Sequence, residues 1–152
     1  MAVEIGQEAP DFELRDQDRQ PRKLSDFRGS KNVVLVFYPL AFSGLCTKEL
    51  CGLRDELPVF DNDDTVTLAV SVDSPYTLKA FAEHEGFTFP LLSDFWPHGD
   101  LAKRYGVFSD EHGIALRATY IIDKRGVVRY AVVNQPFQAR DQERYREALA
   151  TL

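Results

Sequence analysis

The sequence contains little of what several specialised classes of protein require. It has only two cysteines and a net charge of -6, which argues against a disulfide-rich scaffold and against a basic nucleic-acid binder. It has neither a Gly-rich phosphate loop nor a dinucleotide-binding motif. Its histidines, His84, His98 and His112, lack ligand-like spacing to the cysteines, which argues against structural zinc. We therefore expect no cofactor, no metal and no nucleic-acid partner.

Export and membrane signals are also missing. The first residues show neither the basic segment nor the apolar segment of a secretory signal. The longest apolar run, residues 33–42, is too short to span a bilayer and contains Pro39. We expect a cytoplasmic protein without a membrane partner. In that reducing compartment Cys46 and Cys51 are poor candidates for a permanent bridge, so a reactive role for them gains weight.

The remaining composition is that of an ordinary globular protein, with 44% hydrophobic and 28% charged residues in a chain of 152. No repeat, low-complexity tract or linker divides it, so we expect a single domain over residues 1–152. Periodicity predicts a short strand or hairpin before residue 30, buried strands at 32–38 and 65–72, helices at 43–57, 75–85, 100–105 and 141–152, and a hairpin at 119–133. This order predicts an α/β protein with a thioredoxin-like fold, in which helices flank a central mixed sheet.

Cys46 lies in the first turn of the helix that follows the most apolar strand. Ligands bind α/β proteins at such junctions, and the unpaired N–H groups of a helix N-terminus favour the nucleophilic thiolate. Ser43 is a plausible N-cap whose hydroxyl could also donate toward the sulfur, and Pro39 would shield one side of the pocket. The position alone leaves two readings open, a reactive thiol and a small buried hydrophobic residue.

A family resemblance favours the reactive reading. The segment Pro-Leu-Ala-Phe-Ser-Gly-Leu-Cys at 39–46 matches the peroxiredoxin signature, in which Pro is followed by three residues, Thr or Ser, two residues and Cys. Residues 9–12 (Ala-Pro-Asp-Phe), 70–75 (Val-Ser-Val-Asp-Ser-Pro) and 89–94 (Phe-Pro-Leu-Leu-Ser-Asp) resemble further peroxiredoxin segments in the same order. The stretch 89–99 is most similar to the AhpE subgroup.

The resemblance implies a thiol-dependent peroxidase that reduces hydrogen peroxide and organic hydroperoxides. Cys46 would attack the peroxide and become a sulfenic acid, with Pro39 and Ser43 completing the motif around it. Arg117 matches the context of the family's arginine, which stabilises the thiolate and polarises the O–O bond. Glu49 resembles a position that supports this arginine. Without the resemblance, Arg117 would be taken as a solvated residue and Glu49 as a surface residue of the helix.

Cys51 departs from the usual AhpE pattern and resembles the resolving cysteine of the peroxiredoxin Q (bacterioferritin comigratory) group. Five positions along an ideal helix separate two Cα atoms by roughly 8–9 Å. A disulfide requires less than about 7 Å, so the helix would have to unwind locally before Cys51 could reach Cys46. Gly52 would ease this, since Gly weakens a helix by about 1 kcal/mol relative to Ala. Alternatively, Cys51 is a bystander and an external thiol resolves Cys46.

The resemblance also implies a thioredoxin- or glutaredoxin-like protein as reductant, and a homodimer formed through loops near the active site, where Phe95 and Trp96 lie close together in the sequence. Two rival functions stay open. A thioredoxin-type disulfide reductase would need Cys-x-x-Cys, whereas four residues separate these cysteines. A redox sensor would share the first chemical step with a peroxidase but would not turn over.

Overall fold

The two most apolar segments of the chain form the centre of a seven-stranded sheet. The computed structural model of the protein describes residues 2–136 and 138–152. The strands are β1 (Glu13–Arg15), β2 (Pro21–Lys23), β3 (Asn32–Phe37), β4 (Thr65–Ser71), β5 (Leu91–Ser93), β6 (Phe108–Ser109), β7 (Ile114–Ala115), β8 (Arg117–Ile122) and β9 (Val128–Asn134). The order in the large sheet is β2-β1-β5-β4-β3-β8-β9, while β6 and β7 pair separately.

The large sheet is mixed. Its β3, β4 and β5 run parallel, and the long connections between them provide the crossovers that parallel strands require. The β1–β2 hairpin and the β8–β9 hairpin add antiparallel strands on either side of this parallel centre. In register, Phe37 at the end of β3 lies opposite Ala118, so the start of β8 is beside the end of β3. The predicted mixed sheet is confirmed.

Helices cover both faces of the sheet, and alternate side chains of β3 supply both cores. The helices are α1 (Gly44–Asp55), α2 (Leu57–Phe60), α3 (Pro75–Glu85), α4 (Asp100–Arg104) and α5 (Glu143–Ala150), and a 3₁₀ turn spans Leu24–Phe27. Val33, Leu35 and Phe37 face the core that includes α4. Val34 and Val36 face the second core, which contains the apolar sides of α1, α3 and α5. Cys46 belongs to this second core.

Helix boundaries are where sequence and structure differ most. The helix predicted at 43–57 is two helices, because α1 ends at Asp55 and Pro58 lies in the first turn of α2. Proline lacks an N–H, which a helix does not need in its first turn, so Pro58 fits the first turn of α2. Ser74 caps α3, since its side chain accepts a hydrogen bond from the Thr77 N–H.

Within the part of the chain that the structure describes, no helix has both the length and the apolar character needed to cross a membrane.

Comparing Gly86 with Gly44 distinguishes the effect of a left-handed backbone from the effect of crowding around an added side chain. Gly86 ends α3 with φ +73, whereas Gly44 begins α1 without a positive φ, and a Cβ at either position would meet nothing within 4 Å. We expect Gly86→Ala to lower the free energy of unfolding by roughly 1–2 kcal/mol, because an L side chain strains the left-handed backbone. Gly44→Ala should leave it unchanged or raise it. Urea unfolding under reducing conditions measures both, and equal effects would contradict this account.

Candidate active site

Cys46 is placed by the end of the central strand and the start of α1. The chain leaves β3 at Phe37, turns through Pro39, and enters α1 at Gly44. Cys46 is the third residue of this helix, and its side chain is fully buried in the core that also contains Val36 and Tyr38. Both cysteines are free thiols. The sulfur is therefore held at a strand-to-helix junction, close to the electropositive end of a helix of 12 residues.

Ser43 occupies the N-cap position of α1, as predicted, but its side chain does not make the capping hydrogen bond that we expected. Its hydroxyl donates instead to the Leu40 carbonyl oxygen at 2.8 Å. A hydroxyl has one hydrogen, so in this arrangement Ser43 does not donate to the Cys46 sulfur. The bond closes the turn between Leu40 and Ser43 and leaves the first N–H groups of α1 without a side-chain cap.

The loop before α1 is strained and is held by a residue to which sequence analysis assigned no role. Phe42 has φ 67, a conformation that bulky side chains rarely adopt, and its ring packs against Phe81 at a centroid distance of 4.9 Å. One residue earlier, the Ala41 N–H donates to Asp73 Oδ2 at 2.8 Å, and the same oxygen accepts from the Ser71 hydroxyl at 2.7 Å. Asp73 thus fixes the path of the peroxiredoxin-like segment.

Glu49 and Arg117 form a buried ion pair one helical turn after Cys46. Glu49 follows Cys46 by three positions on α1, so both side chains lie on its buried face. Arg117 Nη1 donates to Glu49 Oε1 at 2.7 Å, and its Nε donates to the Pro136 carbonyl oxygen at 2.6 Å. Both side chains are almost completely buried, so the alternatives of a solvated Arg117 and a surface Glu49 are wrong. The structure pairs Glu49 with Arg117 and places Cys46 three positions before Glu49 on the buried face of α1.

Arg140 is a fourth member of this site that sequence analysis missed. Its guanidinium donates to both carboxylate oxygens of Glu49, at 2.7 and 3.2 Å, and its backbone N–H donates to Oε2 at 2.8 Å. Its Nη1 also donates to the Phe37 and Ala118 carbonyl oxygens, at 2.6 and 3.0 Å. Arg140 therefore joins the ends of β3, α1 and β8. Its position in a loop before a polar helix gave no periodic signal for burial.

The charge of Glu49 is secured by its neighbours. Burial on its own would raise the pKa of this carboxyl group. The hydrogen bonds and positive charge of Arg140, with the charge of Arg117, outweigh burial and hold the pKa below its ordinary value. Glu49 is consequently a carboxylate at neutral pH and keeps both guanidinium groups paired. Within residues 2–136 and 138–152, Arg117 Nη2 has no hydrogen-bond acceptor, which leaves this nitrogen, with its two N–H groups, as a donor for a ligand.

Cys51 lies on the same helix but in a different environment. It is partly exposed, and its sulfur is 4.0 Å from Glu85 Oε1. Partial burial raises the pKa of the Cys51 thiol, and the Glu85 carboxylate adds to this while Arg54 opposes it. The helix is continuous from Gly44 to Asp55, so the ideal separation of roughly 8–9 Å between the two Cα atoms applies. The structure does not bring Cys51 to Cys46.

Metal ligands are not grouped in the described part of the chain, where no cluster of three or more His, Cys, Asp or Glu side chains could hold a metal ion.

With this geometry established, comparison with known proteins assigns the family. Residues 5–131 match the model of the AhpC/TSA family. The chain belongs to this peroxiredoxin family. It is 53% identical over 150 residues to alkyl hydroperoxide reductase E of Mycobacterium tuberculosis, covering 99% of this chain and 98% of that one. Membership makes the chain a thiol-dependent peroxidase that acts on a peroxide and draws electrons from a redox partner.

Solved peroxiredoxin structures confirm the thioredoxin-like fold. The peroxidoxin BcpB of Mycobacterium tuberculosis is 34% identical with a TM-score of 0.84, covering 98% of this chain and 96% of that one. The reduced 2-Cys peroxiredoxin of Plasmodium vivax is 31% identical with a TM-score of 0.86, covering 97% and 81%. The similarity to the AhpE protein agrees with the subgroup predicted from residues 89–99.

The buried carboxylate gives a stability prediction. Glu49→Gln should lower the free energy of unfolding at neutral pH by about 3–5 kcal/mol, because it leaves two buried guanidinium groups without their counter-charge. Because folding lowers the pKa of Glu49, ionised Glu49 stabilises the folded state at any pH above 4.5, its ordinary pKa. This stabilisation is lost as the pH falls from 4.5 through the lower pKa of the folded state. Wild type should therefore lose more stability than the variant below that value. Denaturant unfolding as a function of pH measures the difference.

Asp55→Asn is the matched control on the same helix. Asp55 pairs with Arg54 at the surface, and such pairs contribute at most about 1 kcal/mol. If Glu49→Gln were as mild as Asp55→Asn, the ion pairs of Glu49 would not hold the site together.

Proposed function

We propose that the chain is a two-cysteine peroxidase in which Cys46 attacks the peroxide and Cys51 resolves the product. The observation that supports this most strongly is the location of Cys46 in the first turn of α1, one turn before a carboxylate that is paired with Arg117. We infer that positive potential reaches Cys46 from two sources, the helix N-terminus and the guanidinium group. Both favour the thiolate, which is the nucleophilic form of cysteine.

The first step is a substitution at the terminal peroxide oxygen. The Cys46 thiolate forms an S–O bond while the O–O bond breaks, which leaves Cys46 as a sulfenic acid. The departing oxygen takes a proton and leaves as water from hydrogen peroxide or as an alcohol from an organic hydroperoxide. The unused Arg117 donor and the N–H groups at the start of α1 would stabilise the charge on that oxygen. Ser43 would turn its hydroxyl from Leu40 toward the bound peroxide, and Pro39 would exclude water.

The second step forms an intramolecular disulfide. The Cys51 thiol attacks the sulfenic sulfur, an S–S bond forms, and the hydroxyl leaves as water with the thiol proton. Because α1 holds the two Cα atoms too far apart for a bond, the turn between them must open first. Gly52, next to Cys51, lowers the cost of opening by about 1 kcal/mol relative to Ala. The partial exposure of Cys51 gives a thioredoxin- or glutaredoxin-like protein access to the disulfide.

The remaining parts of the proposal concern context. We place the enzyme in the cytoplasm as a single domain over residues 1–152. A homodimer is supported by exposed aromatic side chains at one loop, where Phe95 is 51% exposed and Trp96 is 82% exposed. Single exposed residues are common, but two adjacent aromatic residues at this level favour contact with a second copy.

Cysteine variants test both steps. Reduced wild type treated with peroxide should form an intramolecular disulfide, and Cys51→Ser should accumulate a sulfenic or sulfinic acid at Cys46. Cys46→Ser should not react rapidly, because the Cys51 thiol carries a raised pKa. Thiol counts and intact mass distinguish these products. Rapid oxidation of Cys46→Ser would eliminate the mechanism, whereas wild type without a disulfide would eliminate only the resolving role of Cys51. Repeated turnover with a reducing partner separates an enzyme from a sensor, which oxidises once.

An arginine variant tests the electrophilic role. Arg117→Lys keeps one positive charge but loses the planar fork that bonds Glu49, Pro136 and the substrate together. We expect the second-order rate constant for peroxide to fall by roughly 10²-fold, the usual effect of removing a donor to a developing oxyanion. Stopped-flow oxidation of the reduced enzyme measures it. Arg129→Lys, at an exposed arginine of β9, is the control and should stay within about twofold of wild type. An equal rate in both variants would remove Arg117 from the mechanism.

A further inference from the structure

The turn of α1 between the two cysteines is held from outside by Gln142. The side-chain Nε2 of Gln142 donates to the backbone carbonyl oxygen of Glu49 at 2.6 Å. This carbonyl lies between Cys46 and Cys51 in the chain, within the helix that spans Gly44–Asp55. The hydrogen bond therefore fixes a backbone group in the very segment whose opening the proposed resolving step requires.

Gly52 makes room for this side chain. A Cβ at Gly52 would lie 2.5 Å from Gln142 Oε1, closer than real Cβ atoms approach other atoms, and 3.2 Å from Cδ, a tight contact. The Gln142 side chain thus packs against the helix backbone at Gly52, the residue that follows Cys51 in the chain. The weak helix-forming tendency of Gly52 and the contact with Gln142 act on the same turn in opposite directions, one toward opening and one toward the helical form.

The hold of Gln142 is separate from the ion pairs of Glu49. The Glu49 carboxylate is bonded by Arg117 and Arg140, whereas Gln142 bonds only the Glu49 backbone. A substitution at Gln142 therefore leaves the buried charges paired and the donor of Arg117 in place. Its effect reports the backbone contact alone.

We propose that Gln142 is a positioning residue that keeps the Cys46–Cys51 turn helical and thereby sets how often it opens. The consequence for turnover rests on the proposed resolving role of Cys51. While the turn is closed, Cys51 cannot reach the sulfenic acid, and a second peroxide can oxidise it to a sulfinic acid with release of water or an alcohol. When the turn opens, the disulfide forms instead. By setting how often the turn opens, Gln142 determines how much of the sulfenic acid becomes disulfide and how much becomes sulfinic acid.

Two variants and one control test this. Gln142→Ala removes the side chain, and Gln142→Glu keeps its shape but lacks the N–H donor. Gln138→Ala is the matched control, because Gln138 is an exposed glutamine in the same segment and its side chain makes no hydrogen bond among the described residues. The first measurement is amide hydrogen exchange of residues 47–52 in the reduced full-length protein. The second is the ratio of disulfide to Cys46 sulfinic acid at increasing peroxide, read from intact mass.

Loss of one hydrogen bond of this kind should speed exchange at residues 47–52 about three- to tenfold in both Gln142 variants. The peroxide concentration that gives equal amounts of disulfide and sulfinic acid should rise by the same factor. Gln138→Ala should match wild type in both measurements. Global unfolding, followed separately by denaturant, tells whether a variant is merely destabilised, since that would speed exchange throughout the core and not at this turn alone.

Each outcome is decisive. Unchanged exchange at residues 47–52 in both Gln142 variants would overturn the positioning role, whatever the oxidation products are. Faster exchange with an unchanged product ratio would also overturn it. Faster exchange in a protein that forms no disulfide at all would support the hold of Gln142 on the turn and would instead remove Cys51 from the proposed mechanism.

Discussion

One buried carboxylate, that of Glu49, connects α1 to the two buried arginines of the candidate active site. Taking a carboxylate and two guanidinium groups out of water costs several kcal/mol for each ion, and their mutual attraction does little more than offset this. The network is therefore a weak source of net stability. Its value lies in geometry, because Arg140 also bonds the Phe37 and Ala118 carbonyl oxygens and so fixes the strand ends relative to α1.

In the proposed mechanism the site must be rigid for the attack on peroxide and must open for the resolving step. Around Cys46, Asp73 fixes the strained loop and Glu49 fixes the buried face of α1, as the attack on peroxide requires. Toward Cys51 the helix is held by a hydrogen bond from Gln142, by a bond from Arg54 to the Glu85 carbonyl oxygen and by the buried side chains of Leu50 and Leu53. The proposed resolving step therefore requires these contacts to open locally.

The sequence predicted the mixed sheet and the junction of Cys46 because both depend on local patterns, an apolar run followed by helical spacing. It also predicted the pairing of Arg117 with α1 through a family motif. It missed Arg140 and misplaced the Ser43 hydroxyl. Arg140 is buried by contacts with Glu49 and Phe37, which precede it by 91 and 103 positions in the chain. No local periodicity in the sequence can predict contacts over such separations. The Ser43 hydroxyl has two nearby acceptor choices, and only the loop path set by Phe42 and Asp73 decides between them.

The central claim is that the site assigns the peroxide chemistry to one sulfur of the two. The most direct measurement exposes the protein to excess peroxide with a small-molecule thiol present to recycle any disulfide, and locates the irreversible sulfinic acid by peptide mass spectrometry. The account predicts its accumulation on Cys46, with Cys51 still reducible. Sulfinic acid appearing first on Cys51 would contradict it.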